Sequence, residues 1–261
     1  GPQQAWSSMP RRAVRPTQDH PTKSGVLGLV ANALGRDRGD DISDLAALRY
    51  AVRGDRTGTV EVDFHTAGAG SFPLLPAEVL ADRVTARAAA NGSVRPRAYA
   101  APKNIRRHGD SLTGKREAAI LTRDAYLADA VFTAALTGDR SIIDQIAAAL
   151  TTPARTLFLG RRAYPLSQPL NPYVVDDTDP QQVLTTAPPA PRAIDGPRPV
   201  WADANPVDAH DPAARIVTDQ PTSYQDRRHR PRVEIRVRTG PARAFTPEVE
   251  VVDFFSPPEP T

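Results

Sequence analysis

Cysteine is absent from the 261 residues, which excludes disulfides, thiolate metal sites and thiol nucleophiles. Lysine is almost absent: Lys23, Lys103 and Lys115 are the only three among 33 basic residues, and the rest are arginine. That bias suits bidentate phosphate contacts and stacking on bases, although a GC-rich coding sequence leaves the same mark. Long apolar runs are missing as well. None reaches the ~18 residues of a membrane span, and no basic-then-apolar leader opens the chain, so a soluble, cytoplasmic protein without a membrane partner is expected. The five histidines, His20, His65, His108, His210 and His229, stand apart, and no G-x-S-x-G motif accompanies them. No metal and no cofactor are therefore expected. Residues 109–116 approach a P-loop, but Arg116 stands where the magnesium-ligating Ser or Thr belongs and no buried strand precedes it, so nucleotide hydrolysis is set aside.

The net charge of +3 fits a polyanionic partner without requiring one. The clearest regular element is a helix over residues 21–35. Thr22 or Ser24 caps it, Val26, Leu29, Val30, Ala33 and Leu34 recur on one face, and Gly35 supplies a left-handed end. Gly25, Gly28 and Asn32 form a second stripe, which calls for a close neighbour, either a nucleic-acid backbone at the helix amino end beside Lys23 or tightly packed protein. Residues 45–53 and 58–64 read as a hairpin around Gly54-Asp55-Arg56-Thr57. Periodicity then fails over 66–117, apart from a short helix around 76–90. Between Arg95 and Arg116 seven Lys or Arg face the single acid Asp110, making this a basic insertion.

Residues 126–136 read as one strand, 142–150 as a helix capped by Asp139 or Ser141, and 156–159 as a short buried strand. With one strand supplied in front, the order becomes βαββαβ, the ferredoxin-like pattern whose sheet face binds RNA in RRM domains. Nineteen of the 27 prolines lie beyond residue 151. Residues 171–219, with Trp201 as their only large anchor, read as an irregular excursion, 232–238 as an alternating strand, 248–254 as its partner and 256–261 as a tail. Gly160-Arg161-Arg162 follows a strand as either a phosphate clamp or an exposed turn. The run 227–232 carries like charges that an anion, nucleic acid or acidic protein, would offset. His65 is read as a base or phosphate contact or as a structural residue.

Five blocks occur in one order: Gly1-Pro2-Gln3-Gln4-Ala5-Trp6; residues 21–29; Asp63-Phe64-His65-Thr66; Lys115-Arg116-Glu117 with Tyr126-Leu127-Ala128-Asp129-Ala130; and residues 158–166. On these blocks the chain, from residue 1 to about 170, resembles the CasD subunits of the type I-E CRISPR Cascade surveillance complex, within the RAMP superfamily. The resemblance implies an α+β, ferredoxin-like (RRM-like) core over 1–170, with a thumb inserted at about 66–117 and an irregular C-terminal β extension over 171–261. It also implies a first strand ahead of Gly-Pro-Gln. The implied function is a non-catalytic subunit that binds and caps the 5′ handle of the CRISPR RNA. Its implied neighbours are a CasC-like backbone subunit and a CasA-like large subunit, with target DNA met indirectly through the complex. The RNA-binding residues expected are Trp6, Ser7, Lys23, Ser24, Gly25, His65, Arg106, Arg107, Lys115, Arg116, Arg161 and Arg162. Two rivals stand beside this reading. One is a metal-independent RAMP endoribonuclease using Tyr50, Lys23 and His65, and the other is a structural partner-binding domain.

Overall fold

The computed structural model describes residues 1–7, 14–67, 105–108, 111–114, 120–204 and 210–239. In chain order the elements are β1 (Gln3–Gln4), β2 (Val14–Arg15), α1 (Lys23–Ala33), α2 (Ser43–Ala46), β3 (Arg49–Arg56), β4 (Thr59–Ala67), β5 (Ile105–His108) and β6 (Ser111–Gly114). There follow β7 (Ile120–Ala128), β8 (Val131–Thr137), α3 (Arg140–Thr151), α4 (Pro180–Thr186), β9 (Pro199–Asp203), β10 (Ala214–Ser223) and β11 (Arg228–Arg238). They divide into two compact units. One takes in the described residues of Gly1–Ser8, Gln18–Thr59 and Leu127–Thr261, and the other those of Met9–Thr17 and Val60–Tyr126.

The first unit is built on an antiparallel sheet in the order β10-β11-β9-β3-β8. Because side chains alternate along a strand, Tyr50 and Val52 of β3 point to one face, where they join Trp201, Val26, Phe132 and Leu136. Ala51 points to the other and meets Ala135, Leu184, Val200 and Ala202. Helix α4, through Leu184, thus covers one face. On the other, α1, α2 and α3 share a core of Leu27, Val30, Ala31, Leu45, Leu48 and Ile146, with Leu136 of the sheet packed against it.

Both helix ends foreseen for α1 are present: Thr22 Oγ1 accepts from Gly25 N at 3.1 Å, and Gly35 has φ +77°. The buried face is broader than expected, since Leu27 and Ala31 are buried while Val26, Leu29 and Leu34 are only half-buried. Wedged between the sheet and two other helices, α1 has no single inner side. Asp139 caps α3, accepting from Ser141 N and Ile142 N.

The expected α+β class holds, but several elements differ from their sequence reading. β3 and β4 do not form a hairpin. Both edges of β3 are taken, by β8 and β9, so β4 pairs with β7 instead. The strand expected over 126–136 is two strands, broken at Asp129, whose φ of 56° turns the backbone out of β7. Asp tolerates that region better than most residues, and the Arg56 and Arg192 guanidiniums hold its carboxylate. Residues 156–159 make only an isolated bridge, Phe158 to Pro165. The stretch expected to be irregular contributes α4 and β9, and Trp201, 1% exposed, is a central core residue. The βαββαβ order is not that of the sheet, since β9 and β11 lie inside it. Residues 248–254 and the helix expected near 76–90 lie outside the described residues.

In the second unit β7 pairs in parallel with β2, matching Val14 to Arg123 and Arg15 to Asp124, and also pairs with β4. β5 and β6 form an antiparallel pair. The last two residues of β7 belong to the first unit, where Leu127 and Ala128 pair with Gln4 and Gln3 of β1.

Candidate nucleic-acid interface

The amino end of α1 was the expected phosphate site, and the protein's own acids fill it. Lys23 N donates to Asp219 Oδ2 at 2.8 Å, so a carboxylate already sits at the positive end of the helix dipole. Lys23 itself is buried and donates from Nζ to Asp203 Oδ2 at 2.8 Å. Burial lowers its pKa despite that partner. Arg232 binds Asp203, Asp219 and Glu234 at 2.9, 2.6 and 2.8 Å, with its guanidinium over the Tyr50 ring. Lys23 is therefore an internal counter-ion, not a free phosphate contact, because the acids 180 and 196 residues away close on it.

This network ends on His20, which stacks on Trp201 with centroids 4.3 Å apart. The His20 ring bonds Asp19 at 2.6 Å and Glu234 at 3.3 Å, and Arg215 Nε donates to Glu234 at 2.9 Å. Burial acts to lower the His20 pKa, but the two carboxylates outweigh it and raise the value. Burial likewise acts to raise Glu234, yet its bond to His20 and the charges of His20 and Arg232 bring it down to about 2.

The glycine stripe of α1 is explained by protein neighbours. A β-carbon on Gly25 would lie 2.7 Å from the Trp6 ring, and one on Gly28 would meet the Tyr224 hydroxyl at 3.5 Å. Asn32 Nδ2 donates to Thr156 O at 2.8 Å. Trp6, 3% exposed, fills the space against α1 and donates from Nε1 to Gln4 Oε1 at 3.0 Å. It is thus a core side chain rather than an open stacking platform. Ser7 is exposed beside it in sequence. Ser24 bonds the His229 ring at 2.9 Å through Oγ, and its carbonyl accepts from the Tyr224 hydroxyl at 2.8 Å.

Gly160, at φ +83°, does let a backbone approach, but the backbone is Ala5: a β-carbon on Gly160 would fall on the Ala5 carbonyl oxygen. Ala5 N donates to Leu159 O at 3.2 Å, Asp129 N to Pro2 O at 3.0 Å and Gln4 Nε2 to Ala130 O at 2.7 Å. The blocks around 1–6, 126–130 and 158–165 therefore interlock, and Trp6 joins them to the first turn of α1. On the Gly160 loop, Arg161 donates to the Tyr164 hydroxyl at 3.3 Å and lies over its ring, while Arg162 is exposed. From this loop the packing runs through Ala5 and Trp6 to Gly25 in the first turn of α1, where Ser24 is bonded to Tyr224 and His229 of the β10–β11 hairpin.

The family model described as CRISPR-associated protein (Cas_Cas5) matches residues 1–240. The chain is also 34% identical over 191 residues to the CRISPR system Cascade subunit CasD of Escherichia coli (strain K12), covering 70% of this chain and 72% of the relative. It belongs to the Cas5 family. Among solved structures, this Cas5 chain is similar to one titled "CRISPR RNA-guided surveillance complex", with 30% identity, a TM-score of 0.62, and 92% of this chain and 87% of that chain covered. Another, titled "Crystal structure of Cas protein", gives 27% identity and a TM-score of 0.62 over 92% of each chain.

The remaining expected residues of this Cas5 chain lie in the second unit or outside the described residues. His65 lies in the second unit, half-exposed, 3.0 Å from Asp63 and 4.0 Å from Asp124. Arg106 and Arg107 lie on β5, in register with Thr113 and Leu112. Lys115 and Arg116 lie outside the described residues. Of the endoribonuclease candidates, Tyr50 is fully buried with its hydroxyl on Pro21 O at 2.6 Å, Lys23 is buried and paired internally, and His65 lies in the second unit. Among the described residues no group of three His, Cys, Asp or Glu could hold a metal ion, and no helix is long and apolar enough to cross a membrane.

Proposed function

We propose that this Cas5-family chain is a non-catalytic subunit of a type I-E CRISPR RNA-guided surveillance complex, in which it binds and caps the 5′ handle of the CRISPR RNA. The observation that carries this is the convergence of the motif blocks. Residues 1–6, 126–130 and 158–165 and the first turn of α1 pack on one another, and the loop they support carries Arg161 and the exposed Arg162. Arginine forks on a rigid loop suit phosphate. Handle selectivity then rests on polar contacts from Ser7, Ser24 or His65, since Trp6 is committed to the core. The helix–strand succession α1, β3, β8, α3 is the part that supports a ferredoxin-like core. The insertion at about 66–117 acts as a thumb toward a CasC-like backbone subunit, a CasA-like large subunit lies alongside, and target DNA is met through the complex, in the cytoplasm.

The test is binding of matched-handle and scrambled RNAs, followed by gel inspection for cleavage. The matched handle is bound more tightly, and both RNAs stay intact with or without magnesium, because the buried Tyr50 and Lys23 offer no accessible acid or base. A product cut at one defined position would put the endoribonuclease reading first, and equal weak binding of both RNAs would favour a purely structural role.

A further inference from the structure

Resting on the RNA-binding reading above, we propose that Arg227, Arg228 and Arg230, on the turn and first residues of the β10–β11 hairpin, form a second cationic grip on the RNA backbone beside the amino end of α1. The hairpin is fixed there from three directions. The Tyr224 hydroxyl donates to Ser24 O, the His229 ring bonds Ser24 Oγ, and Arg232 ties β11 to the Asp219 that also holds Lys23 N.

The charge around this point is uneven. Lys23 and Arg232 are neutralised by Asp203, Asp219 and Glu234. Among the described residues, only Asp226 opposes the three arginines at the exposed end of the hairpin, 3.8 Å from Arg228, and no side-chain ion pair or hydrogen bond holds Arg227 or Arg230. Like charges held this close repel one another unless an anion lies among them.

The backbone adds a second observation. Arg227 has φ 54°, the left-handed region in which a turn ordinarily places glycine or asparagine. An arginine there forgoes stability that glycine would supply, and a strained residue on an exposed tip points to a role for its side chain. A nucleic acid, rather than an acidic protein, follows from position. The hairpin is bonded to Ser24 in the first turn of α1, and that same turn packs on Trp6, the neighbour of the Ala5 that supports the loop of Arg161 and Arg162, so both arginine groups are anchored on the amino end of α1.

The experiment compares wild type, R161A/R162A and R227Q/R228Q/R230Q for binding to matched-handle and scrambled RNA over a salt series. The hairpin variant should lower the slope of log K against log salt by about 0.7 for each phosphate released, so about 1.4–2 if two or three are held. Both RNAs should weaken by a similar factor, since backbone contacts carry no sequence information. An unchanged slope in a hairpin variant, with wild type binding normally, overturns the grip while leaving the RNA reading intact. Wild type that binds neither RNA overturns both. An unchanged slope together with lost association to a neighbouring subunit overturns the grip in favour of an acidic protein face. R228Q/R230Q with Arg227→Gly, which relieves the strained turn, gives the same readout should the triple glutamine variant melt early.

Discussion

At Gly160 and Gly196 one substitution separates two costs. Both have positive φ, +83° and +103°, but a β-carbon on Gly160 would strike the Ala5 carbonyl, whereas among the described residues nothing lies within 4 Å of one on Gly196. Gly196→Ala should therefore cost only the dihedral, roughly 1–2 kcal/mol. Gly160→Ala should cost more than about 2 kcal/mol and shift the Gly1–Trp6 segment. Denaturant melts of the two variants check this, and equal losses would mean that the loop relaxes away from Ala5.

The His20–Glu234 pair sets a pH window. Glu234 is held at about 2, below its ordinary 4.5, so its contribution is present above about 4.5 and is lost as pH falls toward 2. His20 is raised above 6.5, so its contribution is complete below 6.5 and is lost as pH climbs through the folded value. The pair thus contributes most between about 4.5 and 6.5. Glu234→Gln should cost about 3–5 kcal/mol at pH 6, because Arg232, Arg215 and His20 all lose their shared carboxylate. The variant should also lose much of the alkaline decline in melting temperature. A parallel pH profile in wild type and variant would show that the pair is not the source.

At the scale of elements, local rules were legible and pairing was not. The caps at Thr22, Gly35 and Asp139 were readable because each acts within about one turn. The alternation of Val233, Ile235 and Val237 also located β11. The β3–β4 hairpin was misread because Gly54-Asp55-Arg56-Thr57 has the composition of a tight turn, while the occupants of both β3 edges lie far along the chain in β8 and β9. β9 was missed because it is five residues long and opens on Pro199, a position proline tolerates at a strand start. In the site, the Gly160 loop was recognisable as a place of close approach, but not that Ala5 makes the approach. Lys23 looked available because Asp203 and Asp219, which neutralise it, are distant in sequence. The Arg227–Arg230 run was visible as charge, but not the bonds from Tyr224 and His229 to Ser24 that tie its hairpin to α1.

At the scale of the whole molecule, the two units differ in what they need. The first has its own three-part core on both faces of one sheet. Deleting residues 67–114 removes β5 and β6 and should leave a single cooperative transition for that unit, while weakening assembly with the neighbouring subunit. Calorimetry and co-purification test the two halves of this expectation. Loss of a cooperative transition would mean that the insertion contributes to the core.

The late position of β9 has a consequence for synthesis. The chain leaves the ribosome from its amino end, so Lys23 and one edge of β3 emerge long before the strand that completes them. Asp203, which pairs with Lys23, follows 180 residues later. Until then an unpaired strand edge is exposed, a state open to mispairing and to triage by chaperones and proteases. A polypeptide released early leaves that edge unfilled, so the order of emergence filters unfinished chains out of the pool available for assembly.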